Sequence, residues 1–178
     1  MPGSDPAPRR CAPQGADSSW LKVDVVFEDE DWPDASRAEI WVRQSVMALA
    51  AHHSMSGLQS SEACIALSSD AHVRTLNAGF RGKDNPTNVL SFPAPPGPAP
   101  LATQQLGDIV IARETVDREA AERGIPVADH LRHLTVHGLL HLLGYDHETD
   151  NEAVRMEKLE VEILAQLGIA DPYGDHDH

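Results

Sequence analysis

The fold of this chain is decided around residues 137–147, which read His137-Gly138-Leu139-Leu140-His141-Leu142-Leu143-Gly144-Tyr145-Asp146-His147. Four of these residues are leucines, placed between the histidines and before the glycine, and the run predicts a strongly apolar helix. His137 and His141 are four residues apart, so on a helix their rings share one face, one turn apart. Gly144 can adopt a positive φ, which ends the helix and turns the chain back. We expect this turn to deliver His147 to the same face.

Three imidazoles arranged in this way predict a metal site. Two rings one turn apart can share an ion, and a third leaves one position open for water, as in catalytic zinc centres. His133, His137 and His141 also form a stripe, but its two ends are about 12 Å apart, too far for both to reach one ion at ~2 Å. We therefore predict that His137, His141 and His147 bind one ion. His133 and His130 then lie behind the ligands or along the cleft.

Other histidines of the chain have a simpler interpretation. A single histidine on an apolar helix is usually a hydrogen-bonded core or rim residue, which is our interpretation of His52, His53, His72 and His130. Burying three imidazoles among leucines without a shared partner would be costly, and this cost favours a metal for the triad.

The spacing of the triad also matches metalloproteases of the type His-Glu-x-x-His-x-x-Gly-x-x-His, except that Gly138 replaces the general-base glutamate. Without that carboxylate, peptide hydrolysis is disfavoured. Cleavage of a phosphodiester does not need that glutamate in the same way, because the ion activates the attacking oxygen of water or of a ribose 2′-hydroxyl. The enzyme must also supply positively charged groups that stabilise the negative charge on the phosphoryl oxygens.

Two cations lie in the turn-rich stretch 79–86 and are candidates for that charge. Arg81 can bind phosphate through two parallel hydrogen bonds, and Lys83 supplies a compact charge. The alternative is that both are surface cations balancing Asp84 and neighbouring acids. Asp146 either orients a ligand histidine or caps the turn.

Length, composition and charge set further bounds. The chain has 178 residues, the usual size of one domain, and 41% of them are apolar. Its 14 basic and 28 acidic residues give a net charge of −14, which argues against a broad basic surface for DNA or anionic membranes. We find neither a membrane span nor a secretory signal, and two cysteines cannot build a disulfide framework. We expect a soluble cytoplasmic protein.

Patterning along the chain predicts a disordered tail at 1–19, one domain at 20–173 and a second tail at 174–178. Apolar runs predict four strands, at 21–27, 63–67, 87–92 and 107–112. Helical spacing with glycine and proline stops predicts about five helices, at 33–49, 71–78, 114–122, 127–144 and 151–167. The fold class is therefore α+β, a single domain in which a small mixed sheet packs against helices around a central metal-binding helix.

Finer expectations concern two helices and two loops. Ile40 is placed on the apolar face of the first long helix and Val154 on that of the last. The stretch 79–86 is expected to be a turn, and the proline-rich stretch 93–100 an extended, exposed loop.

Three motifs together resemble a known family. Residues 137–147 match His-Gly-x-Leu-His-Leu-x-Gly-Tyr-Asp-His at every fixed position. Residues 81–93 match Arg-Gly-x-Asp-x-Pro-Thr-(Asp/Asn)-Val-Leu-Ser-Phe-Pro, and residues 106–111 match Leu-Gly-Asp-Ile-Val-Ile. From about Leu21 to Tyr173 the chain resembles the YbeY family of bacterial metallo-endoribonucleases.

The resemblance implies a zincin-like α+β domain with one ion, Zn²⁺ or another divalent transition metal, on His137, His141 and His147. It implies a single-strand-specific endoribonuclease that matures the 3′ end of 16S ribosomal RNA and acts in ribosome quality control. Arg81 matches the family's functional residue outside the triad. No role comes with His133, and Asn88 stands where Asp is more common, so no catalytic part is assigned to it.

Implied partners are single-stranded ribosomal RNA, the small ribosomal subunit and a ribosomal protein or ribosome-assembly GTPase such as Era, but neither DNA nor a membrane. Because the chain is acidic, we predict a locally positive cleft formed by Arg81, Lys83 and the metal, with Lys83 and His133 binding substrate. Two alternatives stay open. One is a metallohydrolase of peptides or small molecules, and the other is a non-catalytic ribosome-assembly factor whose metal is structural.

Overall fold

A mixed four-stranded sheet forms the framework of the protein. The computed structural model describes residues 20–29, 32, 35–81, 88–95 and 103–173, with Phe80 and Arg81 described in their backbone only. The strands are β1 (Leu21–Phe27), β2 (Ser61–Ser68), β3 (Val89–Pro93) and β4 (Gln104–Ala112). Their order is β1-β2-β4-β3, with β1, β2 and β4 parallel and β3 antiparallel to β4. The four predicted strands are thus confirmed.

Five helices accompany the sheet, which confirms the predicted α+β class. They are α1 (Ala35–Ala51), α2 (Asp70–Arg81), α3 (Arg113–Arg123), α4 (Val127–Leu142) and α5 (Asp150–Ala165), with a 3₁₀ turn at His53–Met55. Gly124 ends α3 with φ 65°, as expected of a glycine that closes a helix. No helix of the described ranges is long and apolar enough to cross a membrane.

Helix α4 lies at the centre of the packing and positions the histidines. It contacts α1, α3, α5, β3 and β4, and Leu131, Val136, Leu139 and Leu140 on it are fully buried. Gly138 faces the sheet, where an added Cβ would lie 3.0 Å from the Cδ1 of Ile109 on β4. Because position 138 has no side chain, α4 can pack closely on β4.

Three expectations about helices are wrong. Helix α2 continues to Arg81, three residues into the predicted turn. Gly79 lies inside this helix next to open space, since a Cβ added to it would have no atom within 4 Å. A glycine inside a helix costs only about 1 kcal/mol, which the helix tolerates there. Ile40 is 53% exposed and Val154 is 66% exposed, so neither lies on a buried face. Helical spacing places both beside core positions, and tertiary contacts decide which positions are covered.

Several predictions fall on residues that the structure does not describe. These are the two tails at 1–19 and 174–178, residues 82–86 of the turn predicted at 79–86, and residues 96–100 of the proline-rich loop predicted at 93–100. The domain boundaries therefore stay a prediction. Pro93, the first residue of the expected loop, is the last residue of β3.

Candidate metal centre and adjoining cleft

The end of α4 arranges the histidine triad. The helix closes at Leu143, and Gly144 follows with φ 103°, which confirms the predicted glycine turn. The backbone N–H of Gly144 donates to the carbonyl of His141 at 3.0 Å, and that of Tyr145 donates to the carbonyl of Leu140 at 3.0 Å. These two bonds satisfy carbonyls that the helix end leaves without a partner and reverse the chain towards the helix face.

The reversal brings three rings together. Ring centroids are 4.6 Å apart for His137 and His141, 5.0 Å for His141 and His147, and 5.8 Å for His137 and His147. One nitrogen from each ring lies within 4.8 Å of the other two. The side chains that the sequence places together are therefore close enough in the structure to share one ion.

Hydrogen bonds on the far side of two rings fix which nitrogen faces the centre. The Nδ1 of His137 lies 2.5 Å from Glu160 Oε2, and the Nδ1 of His141 lies 3.1 Å from the carbonyl oxygen of Tyr145. Both partners are acceptors, so each Nδ1 carries a hydrogen, and in the neutral form of each ring the Nε2 has the lone pair. The acceptors thus assign the tautomer of both rings.

The two Nε2 atoms face each other at 3.1 Å. Lone pairs at this distance repel unless a proton or a metal ion lies between them. Two nitrogens bound at about 2.05 Å in tetrahedral geometry are about 3.3 Å apart, close to the observed separation. With a third nitrogen from His147 within reach, the donor set fits a tetrahedral ion with one open position.

The surroundings of His141 favour its neutral form. Burial lowers the pKa of His141, and the neighbouring rings of His137 and His147 lower it further, whereas the hydrogen bond to the Tyr145 carbonyl acts in the opposite direction. A metal binds the neutral imidazole, so a lowered pKa keeps the ligand available at neutral pH.

A buried carboxylate lies directly behind the triad. Glu160 of α5 is fully buried, and its Oε1 accepts a hydrogen bond from the hydroxyl of Tyr173. The Nε2 of His133 lies 3.2 Å from the same hydroxyl. Burial acts to raise the pKa of Glu160, but the nearby ring of His133, whose Nε2 lies 3.7 Å from Oε1, and the hydrogen-bonded ring of His137 outweigh it and lower the pKa to about 2. Burial and the nearby Glu160 raise the pKa of Tyr173, which keeps its proton.

Sequence reasoning missed Glu160 and Tyr173. A signal for Glu160 was present, since it occupies a helix position in step with the buried Met156, Ile163 and Leu164. A glutamate in such a row needs a partner to be buried. Tyr173 follows the last helix and carries no comparable signal.

A cleft of about 400 Å³ opens beside the triad. His137, His133 and Tyr173 line it, together with Arg123, Glu119 and Glu122. Among the described residues that line the cleft, one side chain is therefore basic and two are acidic. The side chains of Arg81 and Lys83 lie outside the described part of the chain, so the predicted positive cleft stays a prediction.

The interpretation of the remaining histidines is confirmed for two of them. His130 is buried, with its Nε2 2.8 Å from Glu119 Oε1, an oxygen that also accepts from Asn88 Nδ2 at 2.9 Å. His52 is buried, with its Nε2 2.8 Å from Glu162 Oε1. His53 and His72, in contrast, are exposed; His53 stacks on His52, and His72 lies 3.4 Å from Glu28.

The sequence predicts that Asp146 either orients a ligand histidine or caps the turn, and its observed contact is with the turn. Its Oδ1 accepts a hydrogen bond from the backbone N–H of His147 at 2.7 Å. A carboxylate that does contact a ring of the triad is that of Glu160, which lies 2.5 Å from His137 Nδ1.

Comparison with known proteins gives consistent matches. A family model described as Endoribonuclease YbeY matches residues 25–168. Proteins named Endoribonuclease YbeY from Bradyrhizobium sp. and Rhodopseudomonas palustris are 49% and 51% identical, covering 87% of this chain and 94% and 91% of their own. That of Parvibaculum lavamentivorans is 49% identical over 96% of this chain and 95% of its own.

A solved structure shares the fold. The solution structure of a protein from Thermotoga maritima aligns with a TM-score of 0.51 at 23% identity, covering 86% of this chain and 99% of that one. At this identity the match supports the architecture alone. The family model and the relatives at about half identity show that the chain belongs to the endoribonuclease YbeY family, which confirms the resemblance and the enzyme class expected from the motifs.

Proposed function

We propose that this chain is a single-strand-specific, metal-dependent endoribonuclease that matures the 3′ end of 16S ribosomal RNA and acts in ribosome quality control in the cytoplasm. The observation that carries the metal dependence is the pair of Nε2 atoms of His137 and His141, which face each other at 3.1 Å with both Nδ1 atoms engaged elsewhere. Zn²⁺ is the ion we propose, because three neutral imidazoles with an open fourth position suit it.

We assign separate roles around that ion to the side chains of this protein. His137, His141 and His147 would hold it, and Asp146 fixes the turn that presents His147. When bound, such an ion supplies Lewis-acid chemistry to the phosphoryl group and the attacking oxygen. We assign to Arg81 the stabilisation of charge that develops on the phosphate, as its family motif implies. Lys83 and His133 are proposed to bind substrate.

The family resemblance implies the proposed substrate and partners, and the cleft and the charge of the chain support them. The cleft of about 400 Å³ beside the triad has room for one splayed nucleotide, which supports the proposed preference for single strands. The net charge of −14 weakens general attraction to RNA. We therefore propose that docking on the small ribosomal subunit, on a ribosomal protein or on a GTPase such as Era supplies much of the specificity.

The direct test uses a labelled RNA with the 3′-end sequence of 16S ribosomal RNA, alone and annealed to its complement. We expect about one zinc per chain by mass spectrometry, internal cleavage of the single strand and at least ~10-fold slower cleavage of the duplex. Chelation should stop the reaction, and added Zn²⁺ should restore it. Unchanged cleavage by metal-free protein would contradict the proposal.

Arg81→Ala provides a test of the proposed phosphate contact. We expect kcat to fall about 10²–10³-fold, the usual effect of losing one stabiliser of transition-state charge. Zinc content and thermal stability should stay at wild-type values, because Arg81 is the last residue of α2. Arg74→Ala, an exposed cation on the same helix, is the matched control and should retain activity within about twofold. Equal activity of the two variants would remove Arg81 from the mechanism.

A further inference from the structure

We infer that Glu160 and Tyr173 are positioning residues that set the metal affinity of the site through His137. The inference rests on the proposed metal role of the triad. It assigns a function to two side chains that lie outside every motif quoted above, one on α5 and one in the segment that follows it.

The first step is the contact between Glu160 and His137. Glu160 has no exposure to solvent, and its Oε2 lies 2.5 Å from His137 Nδ1. A carboxylate on the outer N–H of a ligand imidazole fixes the ring and its tautomer and raises the basicity of the opposite nitrogen. That opposite nitrogen is the Nε2 that faces His141.

The second step is the way Tyr173 holds the carboxylate. The Tyr173 hydroxyl donates its hydrogen to Glu160 Oε1, so both oxygens of the carboxylate are engaged. The same hydroxyl lies 3.2 Å from His133 Nε2 and can accept from it. This chain of hydrogen bonds, from His133 through Tyr173 and Glu160 to His137, leaves the carboxylate a single orientation.

The third step is that Tyr173 is itself anchored. Its backbone N–H donates to Asp171 Oδ1 at 2.7 Å, and the carbonyl of the adjacent Pro172 accepts from Arg123 Nη2 at 3.1 Å. The segment after α5 thus crosses back to α3 and places a phenol beside the triad. Tyr173 itself is 41% exposed, so the ring contributes little to the core.

Packing alone does not account for a glutamate at this position. Burying a carboxylate is unfavourable until its partners compensate, and a leucine would pack in step with Met156 and Ile163 without that cost. A charged group retained there is explained by what it does to His137.

The experiment compares zinc affinity among full-length variants. Zn²⁺ dissociation constants are measured by competition with a chromophoric chelator, and the absorption spectrum of the Co²⁺ form reports ligand geometry. For Glu160→Gln we expect about 10–100-fold weaker zinc binding and a shifted Co²⁺ spectrum. For Tyr173→Phe, which removes only the hydroxyl, we expect weakening of about 3–10-fold, since Glu160 keeps its charge.

The matched control lies two residues away on the same helix. Glu162 pairs with the buried His52 at 2.8 Å, far along the chain from the triad. Glu162→Gln removes the charge of a second carboxylate–histidine pair on α5, in which the carboxylate is partly exposed, and it should leave zinc affinity within about twofold of wild type. Circular dichroism of each metal-free variant checks that it is folded.

Wild-type zinc affinity in folded Glu160→Gln would overturn the inference, as would a loss no larger than that of Glu162→Gln. If Glu160→Gln does not fold, Tyr173→Phe decides, and wild-type affinity in that variant overturns the inference. A wild-type protein that binds no zinc would overturn both this inference and the proposed metal function. Zinc binding without RNA cleavage would reject the proposed function and leave the positioning role standing.

Discussion

His141→Ala should abolish both metal binding and RNA cleavage. The variant removes one of two Nε2 atoms that face each other at 3.1 Å and leaves too few nitrogens for a stable site. We expect zinc content to fall from about one to below about 0.1 per chain, and the cleavage rate to fall about 10³-fold or more. Alanine is the best helix former, so α4 itself should persist. Mass spectrometry and a labelled single-stranded RNA measure the two effects.

The control for His141→Ala is His72→Ala. His72 is an exposed histidine of α2 whose Nε2 lies 3.4 Å from Glu28, remote in sequence from the triad. This variant should keep full zinc content and activity. Equal residual cleavage by folded His141→Ala and wild type would indicate a contaminating nuclease, and it would support a non-catalytic ribosome-assembly factor instead.

Gly138→Glu should destabilise the protein and should not create a peptidase. The carboxylate would restore the metalloprotease pattern in sequence, but a Cβ at position 138 meets Ile109 Cδ1 at 3.0 Å and Cγ2 at 3.1 Å. The glutamate would therefore be forced into the packing between α4 and β4. We expect a loss of about 3 kcal/mol or more in the free energy of unfolding, from overpacking and a buried charge together. Chemical denaturation measures this loss, and a quenched fluorescent peptide tests for hydrolysis.

Smaller substitutions separate the causes of that loss. Gly138→Ala gains about 1 kcal/mol of helix propensity and loses about 1–3 kcal/mol to overpacking, so its net effect should be modest. Ile109→Val removes Cδ1, the nearest atom, and in a double-mutant cycle it should reduce the cost of Gly138→Ala. A Gly138→Glu protein of wild-type stability that cleaves peptides would favour the metallopeptidase alternative.

Much of the triad could be predicted because it is local. The helix bearing His137 and His141, the stop at Gly144 and the return to His147 all depend on the geometry of eleven consecutive residues. The strand positions followed in the same way from apolar patterns that repeat along a short stretch. Even so, local patterning wrongly assigned the last three residues of α2 to a turn.

What surrounds the triad was decided by tertiary structure. Glu160 is 23 residues from His137, and Tyr173 is 40 residues from His133, yet they meet behind one ligand. Ile109 and Gly138 come together only when α4 packs on the sheet.

Local periodicity predicts which residues can share a face of one helix or strand. The sequence alone therefore determined the element types and the histidine cluster. It does not state which faces meet. Ile40 and Val154 consequently remain in solvent at 53% and 66% exposure, while the charged Glu160 is enclosed. Side chains distant in sequence become partners only when packing removes water from between their elements, so the support of the triad is a property of the folded chain.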